Sequence, residues 1–303
     1  MKRANIVVVG SLNMDLVASA ERMPEVGETI SGTGFHTIPG GKGANQAVGC
    51  AKLGASVMML GAVGDDFYGQ AIVKQLEDHQ IDTSELAVLP ESTGIASIIH
   101  TPDDNCIVVV PGANGAFDVA QLASRQQYIE QAKVLVVQLE IGLPTVERAM
   151  EIAHAKGVTI ILNPAPAAKL PVNMLKMAHY ITPNETELEA LSGQKIDDDA
   201  ALEAVLRDWE ASYGSKIIVT RGAAGCSYIG EGGLCTVPAP KVEVRDTTGA
   251  GDAFNGALAF GLQNGWELAR CVKFAVTASS LSVCKFGAQA GMPTLAEVEE
   301  RLI

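Results

Sequence analysis

Aromatic residues make up only 5% of the 303-residue chain, so its interior must be built from Val, Ile, Leu, Ala and Met. Basic residues are also in deficit: 22 Lys and Arg stand against 35 Asp and Glu, a net charge of −13. So acidic a chain lacks the electrostatic footprint for nucleic acid or an anionic membrane surface. It also repels anionic substrates at long range, so an anion site must be built locally from backbone amides, a few cations or a metal. No apolar run approaches the ~20 residues that a membrane helix needs. The stretch Ile6–Val9 behind the basic start Met1-Lys2-Arg3 is too short for a signal peptide. Six cysteines (Cys50, Cys106, Cys226, Cys235, Cys271, Cys284) form no C-x-x-C pair and show no regular spacing. That usage fits free thiols in a reducing compartment, so a cytoplasmic protein is expected. Nor do the five histidines have metal-ligand spacing, which disfavours a zinc hydrolase.

What is present is a large apolar fraction, 48%, against 19% charged residues, enough for a sizeable core and incompatible with global disorder. Thirty-one glycines without a period point to tight turns and close backbone–ligand approaches. Short β-branched runs at Ile6–Val9, Val57–Leu60, Val134–Val137, Val158–Leu162 and Ile217–Thr220 read as buried parallel strands. Amphipathic stretches at Gly43–Leu53, Tyr68–His79, Leu143–Lys156, Glu185–Leu191 and Asp199–Ser212 read as helices between them. The alternation predicts a parallel sheet with helices on both faces. Two segments, approximately 11–38 and 93–110, break the rhythm with alternating, turn-rich patterns, the second resembling a hairpin. They predict a small accessory sheet, a lid or a dimer surface. With neither repeat nor linker, the chain reads as one unit over 1–303.

The most informative segment is Asp246-Thr-Thr-Gly-Ala-Gly-Asp252, which follows a strand-like Val242–Val244 and runs into an apolar helix, Ala253–Leu262. Gly249, Ala250 and Gly251 thereby fall at a helix N-terminus, where exposed N–H groups and the helix dipole make an anion hole. Asp252 is either a helix cap or a general base accepting a proton from a hydroxyl that attacks a bound phosphoryl group. Asp246 could fix the loop or bind a cation.

A second cluster is Gly40-Gly-Lys-Gly-Ala-Asn45. It is no Walker A loop, since Gly43 follows Lys42 where Ser or Thr is required, and no G-x-G-x-x-G fingerprint exists to support a nicotinamide oxidoreductase. Gly40, Gly41 and Gly43 permit close backbone approach, while Asn45 offers a donor and an acceptor, properties that suit a polyol. A glycine turn opening a helix is the plainer alternative, and Lys42 could be a solvated helix-start residue. Asn13, Asp15 and Glu140 follow predicted strands, where open α/β sheets bind ligands.

Together the two motifs resemble the signatures of the ribokinase (PfkB) family of carbohydrate kinases, the first over Gly40–Gly64 and the second over Asp246–Ala259. Asn163-Pro-Ala-Pro, Asn184-Glu-Thr-Glu187 and Thr220-Arg-Gly-Ala-Ala-Gly225 extend the likeness over the chain. The resemblance implies a ribokinase-like three-layer α/β/α sandwich with a small β-sheet lid, MgATP as phosphoryl donor, and a homodimer formed through the lid. It implies Asp252 as base, Gly249, Ala250 and Gly251 as anion hole, and Asn13, Asp15, Gly40, Gly41, Lys42, Gly43, Asn45 and Glu140 around the sugar. The six positions Asn13, Asp15, Gly41, Lys42, Asn45 and Glu140 are filled as in members that phosphorylate D-ribose at its 5-hydroxyl. ATP would meet Asn184, Thr220, Arg221, Gly222, Ala223, Ala224, Gly225, Gly251, Asp252 and Val276. Asn184 and Glu187 would order water around Mg²⁺. A monovalent cation, K⁺, would be held by Asp246, Thr248, Ser282, Lys285, Gly287 and position 291, which is Gly here where Ser is common; Val276 likewise replaces a common Asn. Other readings are a kinase of 2-deoxyribose, fructose or a nucleoside, and a sugar-binding regulatory protein on the same fold.

Overall fold

Along Ile6–Val9, alternate side chains enter two different apolar cores: Ile6 and Val8 on one face of the sheet, Val7 and Val9 on the other. That is the signature of a strand covered on both sides, and it repeats at Val134–Val137, where Val134 and Val136 part from Leu135 and Val137. The computed structural model describes residues 4–102 and 104–302. The basic start Met1-Lys2-Arg3, and Asp103 of the turn-rich segment 93–110, lie outside the described residues.

The strands in chain order are β1 (Ile6–Val9), β2 (Asn13–Ser19), β3 (Gly34–Gly40), β4 (Val57–Leu60), β5 (Ala62–Gly64), β6 (Ala87–Leu89) and β7 (Gly94–His100), then β8 (Asn105–Val110), β9 (Val134–Val137), β10 (Thr159–Leu162), β11 (Tyr180–Ile181), β12 (Lys216–Thr220), β13 (Cys226–Gly230) and β14 (Gly233–Val237). Eight form a central sheet in the order β14-β13-β12-β11-β10-β9-β1-β4. The six from β4 to β12 are parallel, and the last two close the edge as an antiparallel hairpin. The hairpin was not apparent in the sequence. Helices Lys42–Lys52, Ala250–Gln263 and Leu268–Ser282 cover one face; Leu143–Ala155 and Asp199–Tyr213 cover the other. The result is a three-layer α/β/α sandwich, and no helix among the described residues is long and apolar enough to cross a membrane.

The turn-rich segments form a second sheet in the order β3-β2-β7-β8. Its last strand is exposed along its whole length, with Ile107, Val108, Val109 and Val110 each 43–60% exposed. One sequence expectation fails. Val242–Val244 is not a strand, because the connection from β14 to the Ala250 helix leaves the sheet edge; instead Arg245 and Asp246 donate their N–H groups to the Val283 carbonyl.

Strand order reverses around β1, which has β4 on one side and β9 on the other. Open α/β sheets bind ligands at such a switch point, beyond the carboxyl ends of the strands. Here the Lys42 helix starts almost on top of β1. A Cβ at Gly43 would sit 2.6 Å from both the Gly10 carbonyl carbon and the Ser11 nitrogen. Gly43→Ala should therefore force the helix off the sheet and lower stability by about 1–3 kcal/mol, the usual cost of overpacking; the urea unfolding midpoint measures it, and an unshifted midpoint would show the approach is not tight.

Candidate active site

Asp252 is the third residue of the Ala250–Gln263 helix, yet it caps nothing. The N-cap is Gly249, at φ 79°, and no side chain closes that end. The Asp252 carboxylate instead turns into the protein, 6% exposed, where Oδ2 accepts from Asn45 Nδ2 at 2.9 Å and Oδ1 from Gln46 Nε2 at 2.9 Å. Of the two sequence readings, the cap is excluded by these bonds. Burial raises its pKa, opposed by Lys42 and the two amide donors. First-turn N–H groups have no intrahelical partner, so the same helix end presents donors and positive potential.

Lys42, first residue of the facing helix, is no solvated bystander. Burial works against its charge, but Asp252, Glu140 and Glu187 outweigh burial and raise its pKa. Glu140 Oε2 accepts the Lys42 N–H at 3.0 Å and the Ser11 hydroxyl at 2.6 Å, so it anchors the helix start to β1. Asn13 is buried and accepts from Asn114 Nδ2 at 2.8 Å; Asn114 in turn holds both backbone groups of Leu12. Asp15 approaches Gly40 so closely that a Cβ there would lie 2.4 Å from its Oδ2. Its pKa is raised to about 7, first by burial and then by Glu140 and Asp252. The structure thus gathers Asn13, Asp15, Gly40, Gly41, Lys42, Asn45, Glu140 and Asp252 into one acidic, amide-rich basin, while Gly43 serves the helix–sheet approach.

Two adjoining clefts open beside Gly251. One, about 170 Å³, is lined by Lys42, Asn163, Thr182, Asn184, Glu187, Thr220, Gly249, Ala250, Gly251 and Asp252. The other, about 250 Å³, runs between Thr220, Gly222 and Gly225 and an apolar wall containing Phe254 and Val276. Arg221, Ala223 and Ala224 are not on these walls. The Arg221 guanidinium reaches Glu185 at 3.1 Å, Asp199 at 2.9 Å and Ser227 at 3.1 Å, and the two alanines are exposed. Asn184 and Glu187 form a reciprocal capping box on the Glu185–Ser192 helix, using one Glu187 oxygen. Burial raises the Glu187 pKa, countered by that N–H bond and by Lys42.

The residues expected around a monovalent cation also converge. Asp246 accepts from Thr248 N at 2.9 Å and from Gly287 N at 2.8 Å, so it fixes the loop. Gly291 lies so near Ser282 that a Cβ would stand 2.2 Å from its carbonyl oxygen, and Lys285 pairs outward with Glu297 at 3.3 Å. Sequence reading assigned no role to Ser11, Gln46, Asn114, Gln138 and Gln289, although Gln46 lies within the Gly40–Gly64 motif and Gln289 ends the run Lys285-Phe-Gly-Ala-Gln289 that resembles a family loop. Their burial, each 3% exposed or less, was the signal that only the fold supplies.

A donor-rich helix end beside a buried carboxylate has the parts that phosphoryl transfer needs: donors suited to phosphate oxygens and a group able to accept a proton. The pfkB family carbohydrate kinase model matches residues 3–295. The chain is 43% identical to a ribokinase of Bacillus subtilis, over 98% of this chain and 99% of that protein. It is 35% identical to a deoxyribokinase of Salmonella typhi, over 98% of each. Among solved structures, the ribokinase of Arabidopsis thaliana complexed with ribose and ATP superposes with a TM-score of 0.92 at 31% identity, covering 99% of this chain and 98% of that one. The chain belongs to the pfkB family of carbohydrate kinases, with the ribokinase-like fold, and is an ATP-dependent sugar kinase whose partners are a small sugar and a nucleotide.

The Asp15 environment has a consequence for the sugar-free protein. Its folded pKa, about 7, lies above the ordinary 3.8, so the folded state binds the extra proton and stability falls as pH rises through that window. Asp15→Asn should raise the thermal midpoint above the parent's at pH 8, with the difference closing towards pH 4. An equal gap at both pH values would refute the burial of charge as its cause.

Proposed function

We propose that the protein transfers the γ-phosphoryl group of MgATP to the 5-hydroxyl of D-ribose, with Asp252 as general base. The observation that carries this reading is the Asp252 carboxylate, buried and fixed by two amides beside the open N-terminus of its own helix. A neutral polyol suits the acidic basin, since its hydroxyls donate to Asp15, Asn13 and Glu140, while Asn45 keeps a second N–H to offer. Asp252 takes the proton of the attacking hydroxyl. The N–H groups of Gly249 and Gly251, with that of Ala250 once it leaves the Thr247 carbonyl it meets at 3.2 Å, and Lys42 hold the phosphoryl oxygens, so negative charge is met by fixed donors as it develops. Adenine occupies the cleft between the Gly222–Ala224 turn and the apolar wall, with Thr220, Gly225 and Val276 against it.

Magnesium enters with the nucleotide. The Glu187 oxygen left over by the capping box and the Asn184 amide are hard oxygen donors suited to hold its water shell; the ion neutralises phosphate charge when bound. Potassium is proposed as activator at the Asp246–Gly291 loop pair. Asp246 keeps lone pairs beyond its two loop bonds, and the carbonyls of Thr248, Ser282 and Gly287 supply an oxygen-only shell.

The test is ADP release with Mg²⁺ and ATP over D-ribose, 2-deoxyribose, fructose and adenosine, each with and without K⁺. Ribose should give the highest kcat/KM, raised by K⁺. Turnover on another acceptor alone would keep the kinase and discard ribose, and no turnover on any would favour a sugar-binding regulator. Asp252→Asn should lower kcat at least ~10²-fold with sugar binding retained; near-normal turnover would remove the base assignment.

The second sheet is the proposed lid, and its exposed apolar strand β8 the proposed dimer contact. An exposed hydrophobic edge strand invites pairing unless covered. Sedimentation should give a dimer for the parent chain and a monomer for Val108→Asp; a monomeric parent at micromolar concentration would overturn the assignment.

A further inference from the structure

Two chains of side-chain amides end on the two oxygens of Asp252. In one, Gln75 Nε2 donates to Gln289 Oε1 at 2.7 Å, Gln289 Nε2 to Asn45 Oδ1 at 3.0 Å, and Asn45 Nδ2 to Asp252 Oδ2. In the other, Gln138 Nε2 donates to Gln46 Oε1 at 2.6 Å and Gln46 Nε2 to Asp252 Oδ1. In both chains each amide donates to the next in the direction of the carboxylate, and Gln46 Nε2 gives its second N–H to Asn163 Oδ1 at 3.1 Å. Asn45, Gln46, Gln138 and Gln289 are all buried, and the links span parts of the chain up to 244 residues apart.

The direction matters because a carboxamide is nearly symmetrical in shape and opposite in chemistry at its two ends. A free Asn45 could turn over and set its carbonyl oxygen against the carboxylate. Gln289 prevents this by placing an N–H on Asn45 Oδ1, so the turned state would lose two hydrogen bonds and gain a repulsion. Gln289 is itself held by Gln75 and, at its backbone carbonyl, by Lys52 Nζ at 3.2 Å. Gln138 acts likewise on Gln46 Oε1, together with Asn163, whose Oδ1 accepts from Gln46 Nε2 at 3.1 Å while its Nδ2 is held by the Thr182 carbonyl. Gln138 keeps its N–H on Gln46 although its own carbonyl oxygen is then buried without a partner among the described residues. Such an orphan acceptor bears its desolvation cost without compensation.

We infer that Gln289, acting through Asn45, and Gln138, acting through Gln46, are positioning residues that keep Asp252 unprotonated and aimed at the acceptor hydroxyl. The inference rests on the reading of Asp252 as general base. Neither glutamine lies on a wall of the two clefts. Hydrogen bonds that stabilise the charged form of a carboxylate lower its pKa, so loss of either relay should raise the pH at which Asp252 becomes active. The charged groups facing Asp252 are Lys42 from its helix, Glu140 from the end of β9 and Asp15 from β2; Lys52 flanks Gln289. All four stay unchanged in the variants below.

The test measures kcat against pH, at saturating sugar and nucleotide, for the parent, Gln289→Met, Gln138→Met and Asp252→Asn. Methionine keeps the length and removes the amide. Each glutamine variant should move the acid limb of kcat upward by about one pH unit and lower kcat near neutrality by about tenfold, the worth of one strong hydrogen bond. The KM for nucleotide should stay at the parent value. The two arms serve different oxygens and lie in different elements, so disturbance of the 287–291 loop could not explain a matching shift in Gln138→Met. A parental acid limb in either folded variant, with turnover lost in Asp252→Asn, overturns the relay and leaves the base. Near-normal turnover in Asp252→Asn overturns the base itself. Should Gln138→Met not fold, Gln138→Leu replaces it, because it also removes the donor to Gln46 without adding a charge and should give the same upward shift.

Discussion

A carboxylate buried between two helices cannot stand there alone, and the structure around Asp252 follows from meeting that need. Its two donors sit on the Lys42–Lys52 helix, so that helix must lie against the Ala250–Gln263 helix at short range. Small residues at the crossing permit it. A Cβ at Gly256 would come within 3.0 Å of the Gly49 carbonyl carbon and the Cys50 nitrogen. The Gly256 carbonyl meets the Cys50 thiol at 3.5 Å. Because ionised groups in a protein interior are costly without hydrogen bonds, helix packing and the state of the base are one problem with one solution.

The same arrangement resolves the difficulty of binding a polyphosphate on a chain of net charge −13. Long-range attraction is absent, so the attraction is concentrated where it acts. In the proposed reading, donors at one helix end and a cation locked among three carboxylates would face the phosphate. Asp15 and Glu140 would face a neutral sugar, accepting hydrogen bonds from its hydroxyls. The shift of Asp15 to about 7 expresses first its burial and then the Glu140 and Asp252 charges beside it. The topological switch at β1 sets the two sides next to each other.

Most of the fold was legible because parallel strands buried on both faces are continuous apolar runs; Ile6–Val9, Val57–Leu60 and Val134–Val137 were read with the bounds they have. Val242-Glu243-Val244 alternates as a half-buried strand would and is no strand, since a strand-like pattern does not supply a neighbour to pair with. The hairpin β13–β14 escaped notice because its edge position leaves it mixed in polarity: β14 carries Thr236 beside Leu234. Of the site, the motif residues were legible and the amides were not. Nothing in the local sequence of Gln75, Gln138 or Gln289 shows which way the side chain faces. Only tertiary structure reveals that two of them are buried and face the same carboxylate.

The plain and the functional readings of a residue also prove compatible, because a backbone donor uses only part of a carboxylate. Glu140 holds the first N–H of the Lys42 helix and the Ser11 hydroxyl with one oxygen, leaving the other for a hydroxyl in the basin. Glu187 completes a capping box with one oxygen and faces the phosphate cleft beside Lys42. In each case the structural bond fixes the side chain in the single orientation its second role requires. A side chain free of such a bond would have to lose rotamer entropy on meeting a ligand; these have lost it on folding. Asp252 follows the same logic to its limit: with both oxygens held, its carboxylate is fixed in place before any ligand arrives, as the proposed base would need.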